Sequence, residues 1–166
     1  MADITTPRDL FLHELGDILY VEQKLTQEVL PKLIGEVQST EFRKGLERHL
    51  DQTKGHVTNL EQVFDLLGEQ PETEKCVGFE GLKKEHDELV SESDESLIDL
   101  VDAGAAARTE HYEIAAYTGL IEMARAIGET DAVSLLEENL KEEKEALREV
   151  ESVTKTLRDE QKAATS

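Results

Sequence analysis

Residues 69–93 read EQPETEKCVGFEGLKKEHDELVSES, and the choice between two bundle topologies turns on this stretch. Pro71, Gly78 and Gly81 interrupt it, and only its second half, through Leu82, Leu89 and Val90, carries a helical spacing. It separates two pairs of long helical patterns. A helix of about 27 residues is ~40 Å long, and 25 residues suffice to return along it, since an extended residue covers ~3.3 Å. The helix after the stretch is therefore expected to run parallel to the one before it. One long crossover between two helical hairpins is the ferritin-like arrangement, whereas an up-down-up-down bundle needs only a short middle loop.

Upstream, Thr6-Pro7-Arg8-Asp9 is a strong helix start: a capping hydroxyl, a proline at the first helical position and a carboxylate at the positive end of the dipole. Phe11, Leu15, Ile18, Leu25 and Val29 follow at helical spacing to about Val37, with a bend expected at Pro31. After the short link Gln38-Ser39-Thr40, the spacing predicts a second helix over 41–67, with Leu46, Leu50, Val57, Leu60 and Phe64 inward and Gly68 as its stop. Downstream, the third helix is expected over 94–127, ending at Gly128. The fourth is expected to be capped by Thr130 and to continue through Val133, Leu136, Leu140, Leu147 and Val150 to about Leu157. Asp159 to Ser166 reads as a frayed polar tail. The expected fold is all-α: one domain over 1–166, a four-helix bundle with a long crossover that contains a short extra helix.

Composition agrees with helix and narrows function. Eighteen Lys and Arg stand against 38 Asp and Glu, a net charge of −20. That surface repels nucleic acid and anionic lipid, both of which need basic groups opposite phosphate. It attracts cations and suits a high-salt milieu, although an ordinary acidic cytosolic protein has the same signature. Cys76 is the only cysteine, so neither an intrachain disulfide nor a thiolate cluster can form. The polar start, Met1 to Asp9, has no signal-peptide pattern, and no apolar run approaches the ~20 residues that span a bilayer. A cytoplasmic location is expected.

The informative residues are carboxylates on the core stripes. Ile18 and Leu25 bracket Glu22; the line through Ala106, Tyr117 and Leu120 contains Glu110 and Glu113; Leu136, Leu140, Leu147 and Val150 bracket Glu143. On the second helix the same line contains Thr53, with His49 and His56 at its edge. Glu22 lies 17 residues before Ser39 and His56 lies 17 after; Glu113 lies 15 before Gly128 and Glu143 lies 15 after. Equal offsets on antiparallel helices mean equal height, a level that His49 fits less well. One such glutamate reads as a boundary residue whose stem is buried and whose head reaches water. A set at one height, with no Lys or Arg on the stripe, cannot remain ionised in a low-dielectric core without help. Either some members are protonated or a multivalent cation sits among them. Carboxylates with imidazole on facing helices are the ligand set of di-iron and di-manganese bundles. Glu22, His49, His56, Glu110, Glu113 and Glu143 are thus candidate ligands for iron or manganese, as one ion or a pair. Tyr117, one turn beyond Glu113, reads first as a core tyrosine with a satisfied hydroxyl. Glu142 and Glu145 read as a solvated face, His86 as a surface or hydrogen-bonded group, and Cys76 as a small apolar residue.

The same residues carry a resemblance. Leu10-Phe11, Glu14-Leu15, Asp17, Tyr20 and Glu22-Gln23, then His49-Leu50 with Thr53, Glu110-His111-Tyr112-Glu113-Ile114, and Leu140 with Glu142-Glu143-Lys144 resemble the helices of the YciF-like family of ferritin-like, rubrerythrin-related proteins. Cys76-Val77-Gly78-Phe79-Glu80-Gly81-Leu82 resembles that family's crossover. The resemblance covers nearly the whole chain and implies a homodimeric stress-associated bundle, with Glu22, Glu110, Glu113 and Glu143 as metal-site positions. Ferritin-like bundles carry Glu-x-x-His on the second and fourth helices; here those frames read Thr53-x-x-His56 and Glu143-x-x-Ala146. The expected function is binding of non-haem iron or manganese, with Fe(II) reacting with oxygen or peroxide. The alternative is a structural, stress-associated dimer without a functional metal centre.

Overall fold

Thr6 starts the first helix by a reciprocal cap, accepting from the Asp9 N–H at 3.1 Å while the Asp9 carboxylate accepts from the Thr6 N–H at 2.8 Å. The structure is a computed structural model and describes residues 4–164; Met1 to Asp3, together with Thr165 and Ser166 of the expected tail, lie outside them. The elements are α1 (Pro7–Lys24), a π-helical turn (Leu25–Val29), α2 (Leu30–Glu36), α3 (Thr40–Leu66), α4 (Val77–Glu92), a 3₁₀ turn (Glu95–Leu97), α5 (Ile98–Ile127) and α6 (Thr130–Ala164).

The bend expected at Pro31 takes the form of that π turn. Pro31 has no N–H to give and its ring crowds the carbonyl four residues back. The ladder widens just before it, so that the Leu30 N–H reaches the Leu25 carbonyl. α3 and α5 both end on glycines in the left-handed region, Gly68 (φ 72°) and Gly128 (φ 84°), where a side chain would be strained.

Cross-helix pairs fix the directions. Arg48 meets Glu149, His56 meets Glu142 and Asn59 meets Asn139, so α3 and α6 are antiparallel. α5 and α6 form a hairpin, hence α3 and α5 run parallel, as the crossover requires. Residues 69–76 cross α1 so closely that a Cβ on Gly16 would stand 2.8 Å from the Glu72 carbonyl oxygen, and the Glu74 N–H donates to the Gly16 carbonyl at 3.1 Å. The crossover helix starts five residues earlier than Leu82 because Cys76 caps it, its Sγ accepting from the Phe79 N–H at 3.3 Å. Both bundle ends are pinned by buried or half-buried ions. Arg8 donates to the Leu67 carbonyl at 2.8 Å and pairs with Glu69 and Glu129. At the other end Asp99 accepts from the N–H groups of Gln38 and Ser39 at 2.9 and 2.7 Å.

Two expectations about α6 need correction. Thr130 is its first helical residue rather than its cap. The helix also does not fray at Leu157 but continues to Ala164, because nothing between them breaks a helix and Gln161 donates to the Ser96 carbonyl at 2.6 Å. Its inner stripe runs through Ala132, Leu136, Asn139, Glu143, Ala146, Val150, Val153 and Leu157, leaving Leu140 and Leu147 half-buried on its flank. No helix among the described residues is long and apolar enough to cross a membrane.

Candidate metal centre

Four helices each send ionisable groups to one level of the interior. Glu22 from α1, His49 and His56 from α3, Glu110 and Glu113 from α5 and Glu143 from α6 are all buried. They fall into two groups: His49, Glu110, Glu113 and Glu143, and Glu22, His56 and Glu143, with ligand atoms inside each group all within 4.8 Å of one another. Glu143 belongs to both. Helical geometry explains the gathering. His49 and His56 are seven residues apart and share a face, as do Glu110 and Glu113 at three. Glu110 lies one turn below Glu113 and so meets His49, which the matched-height count left off the level.

These groups stand close without bonding each other well. His56 Nδ1 is 2.9 Å from Glu143 Oε1 and 3.3 Å from Glu22 Oε1, and His49 Nε2 is 3.2 Å from Glu110 Oε1. Yet neither ring nitrogen has a hydrogen-bond partner of acceptable geometry, nor has either carboxylate oxygen of Glu113 or Glu143. Among the described residues, the buried side-chain nitrogens and oxygens left without partners belong to these six residues and to Asp102. An orphaned buried polar atom costs about 1–3 kcal/mol, and more when charged. So many at one level fit a shared central cation, and their donor types suit a transition metal.

Electrostatics point the same way. Burial, with the negative charges of Glu143, Glu22 and Glu110, pushes the Glu113 carboxyl well above the usual range. Burial likewise raises Glu22 and Glu143, although the imidazole of His56 beside both pulls them back. Burial disfavours both imidazolium ions, but the carboxylates outweigh it. Glu110 and Glu143 lift His49 to about 9, and Glu22 and Glu143 lift His56 to about 11. Without a cation the cluster retains protons at neutral pH.

A surrounding layer orients some of these groups. His56 turns its other nitrogen, Nε2, to Glu142 at 2.9 Å. Glu142, expected on a solvated face, is therefore half-buried against the site: its stem leaves the helix beside Glu143 and its carboxylate reaches round to the imidazole. Tyr117 is buried and donates its hydroxyl to Glu22, and Asn139 Nδ2 donates to Tyr117 Oη at 3.0 Å and to the His56 carbonyl at 3.3 Å. Burial and the Glu22 charge keep the Tyr117 phenol well above its ordinary value, hence protonated and a donor. Thr53, on the ligand line, is not free to coordinate, because its hydroxyl donates to the His49 carbonyl at 2.7 Å. Elsewhere, His86 takes the hydrogen-bonded alternative, buried with its Nε2 2.7 Å from Asp102 Oδ1. Cys76 is likewise more than apolar filling: its Sγ lies 3.0 Å from Tyr112 Oη, and Tyr112 donates to Asp17 at 3.2 Å.

Two antiparallel helical hairpins joined by a long crossover, with a buried carboxylate–imidazole cluster at mid-height, define a ferritin-like four-helix bundle. Within that class the chain belongs to the family described as Domain of unknown function (DUF892), whose pattern matches residues 6–163, and so to the YciF-like proteins. It is 33% identical over 144 residues to Protein YciF of Escherichia coli, covering 86% of each. The solved structure of that E. coli stress protein superposes with a TM-score of 0.86 at 31% identity, covering 94% of this chain and 99% of the other. YcfI of Rhodopseudomonas palustris, a candidate structural protein by its name, gives a TM-score of 0.87 at 40% identity over 90% of this chain and 96% of its own. A protein from Xanthomonas campestris shares the fold alone, at 19% identity and a TM-score of 0.73, over 92% of this chain and 93% of its own.

Proposed function

We propose that the bundle binds a pair of transition-metal ions, iron or manganese, as a cytoplasmic homodimer that serves in a stress response like its E. coli relative. The observation that carries this reading is the convergence of orphaned buried donor atoms from six residues on two overlapping positions. His49, Glu110 and Glu113 would hold one ion, Glu22 and His56 the other, and Glu143 would serve both. Fe(II) bound by these residues would supply the electrons for reduction of dioxygen or peroxide, itself becoming Fe(III). The protein's own residues set the frame for that chemistry. Glu142 orients His56 and selects the nitrogen that faces the site. Tyr117, steadied by Asn139, holds Glu22 in place. On the side facing Gly68 and Gly128, the apolar layer of Leu15, Leu60, Leu120 and Leu136 restricts bulk water.

A second reading, a structural dimer without a working centre, draws on two frames that lack a ligand, Thr53-x-x-His56 and Glu143-x-x-Ala146, and on the name of the R. palustris relative. Elemental analysis and Fe(II) titration of protein purified without chelator separate the two. Two ions per chain and a raised melting temperature are expected. A chain that stays metal-free under Fe(II) and Mn(II), with an unmoved melting temperature, contradicts the metal reading.

A further inference from the structure

A cavity of about 70 Å³ lies among α3, α4, α5 and α6, against the π turn. Phe42, Leu46, Phe79, Val150 and Val153 form much of its wall. Its inner end is His49 and Glu110, the side of the cluster on which both imidazole nitrogens of His49 lack partners. Ala146 lines it too, at the position where the Glu-x-x-His frame begun by Glu143 would carry an imidazole. The methyl group there leaves room that a ring would fill. The outer rim carries half-buried Gly45 and Lys83 and exposed Glu149.

The lining decides what can occupy the stretch between the rim and the His49–Glu110 end, which is apolar except for Thr109 and His86, both bonded elsewhere, to the Ala105 carbonyl and to Asp102. A water molecule needs two to four polar partners, and apolar voids of about 150 Å³ lined by aliphatic and aromatic groups stay dry and take up xenon or benzene. Hydrogen peroxide meets the same obstacle as water, because both its oxygens lose hydrogen bonds on entering an apolar wall. A neutral apolar diatomic loses almost nothing, and a cavity of half that volume accommodates it.

We infer that this cavity admits and holds a small apolar molecule, dioxygen by its chemistry, and delivers it to the His49–Glu110 side of the cluster. What the molecule meets at the inner end rests on the metal reading; occupation of the cavity itself does not.

The test separates the two. Crystals of the metal-free full-length protein under xenon pressure are expected to show xenon between Leu46, Ala106 and Val150. Two variants narrow the path independently: Ala106→Leu in the wall and Gly45→Leu at the rim. At Gly45 an added Cβ meets nothing closer than 3.7 Å, so the helix accepts it. Ala106→Leu is expected to abolish xenon occupancy. In Fe(II)-loaded protein, both variants should slow binding of nitric oxide by about tenfold, an added barrier of about 1.4 kcal/mol, while Fe(II) uptake stays at the wild-type level. An empty cavity in the wild type under xenon overturns the inference and leaves the metal reading standing. Xenon in place with nitric oxide binding unslowed in both variants also overturns it. A chain that holds xenon but takes up no Fe(II) overturns the metal reading and the delivery role together.

Discussion

The two histidines of the cluster sit seven residues apart on one helix and are held in opposite ways. His56 is braced from behind by Glu142, and its neighbour Glu22 is held by Tyr117, which Asn139 holds in turn. His49 has no such support, its far nitrogen is unpartnered, and an apolar cavity opens beside it. The braced half is built to hold one geometry. The unbraced half is built to admit something, and the alanine at 146 belongs to that half.

The strongest way to break this contrast is truncation. His56→Ala removes the positive partner of two buried carboxylates and of Glu142, and should destabilise the metal-free protein by about 3–5 kcal/mol. His49→Ala, with looser contacts, should cost clearly less in the same urea titration; equal losses would remove the asymmetry.

The next effect is pH. Both imidazoles have folded-state values above their unfolded value, so their contribution is complete below about 6.5 and is lost as pH rises through about 9 for His49 and about 11 for His56. The buried carboxyls, raised by desolvation, act in the same direction from a lower pH. Metal-free protein should thus lose stability steadily between pH 6.5 and 9, by about 1.4 kcal/mol per pH unit for each extra proton the folded state holds. Metal-loaded protein should show a growing gain over the same window, since ligands must shed protons to bind. Parallel melting curves with pH in both forms would contradict the cluster described here.

Sharpening comes from the bracing residues. Glu142→Gln should weaken the tighter of two metal-binding steps by about 10–100-fold in calorimetry and leave the weaker step alone. Smallest is Glu113→Gln, which removes a buried carboxyl that resists ionisation and should stabilise the metal-free protein by about 1 kcal/mol.

Much of this was legible in the sequence, for local reasons. Caps, prolines and glycines mark helix ends within the chain itself, and counting from Ser39 and Gly128 placed Glu22, His56, Glu113 and Glu143 at one height because α-helical rise is constant. What escaped was whatever depends on a partner far along the chain. Glu142 projects away from the stripe, and only the position of His56, 86 residues earlier, turns it inward. His86 carries no local sign of Asp102, and the last turns of α6 give none of their hold on Ser96. The π turn was foreshadowed only as a bend, because Pro31 disallows one hydrogen bond without specifying how the ladder adjusts. The family resemblance supplied Glu22, Glu110, Glu113 and Glu143 as candidate metal-site positions but not the cavity, which is a property of packing.

The central claim is that the buried carboxylates exist to hold metal, and melting temperature with and without Fe(II) tests it most directly. Wild type, Glu113→Gln, Glu143→Gln and the exposed control Glu145→Gln are compared as differences between loaded and metal-free forms. The account predicts a clear rise for wild type and control, a reduced rise for Glu113→Gln, and almost none for Glu143→Gln, whose carboxylate both positions share. A rise in Glu113→Gln and Glu143→Gln equal to that of wild type would contradict it.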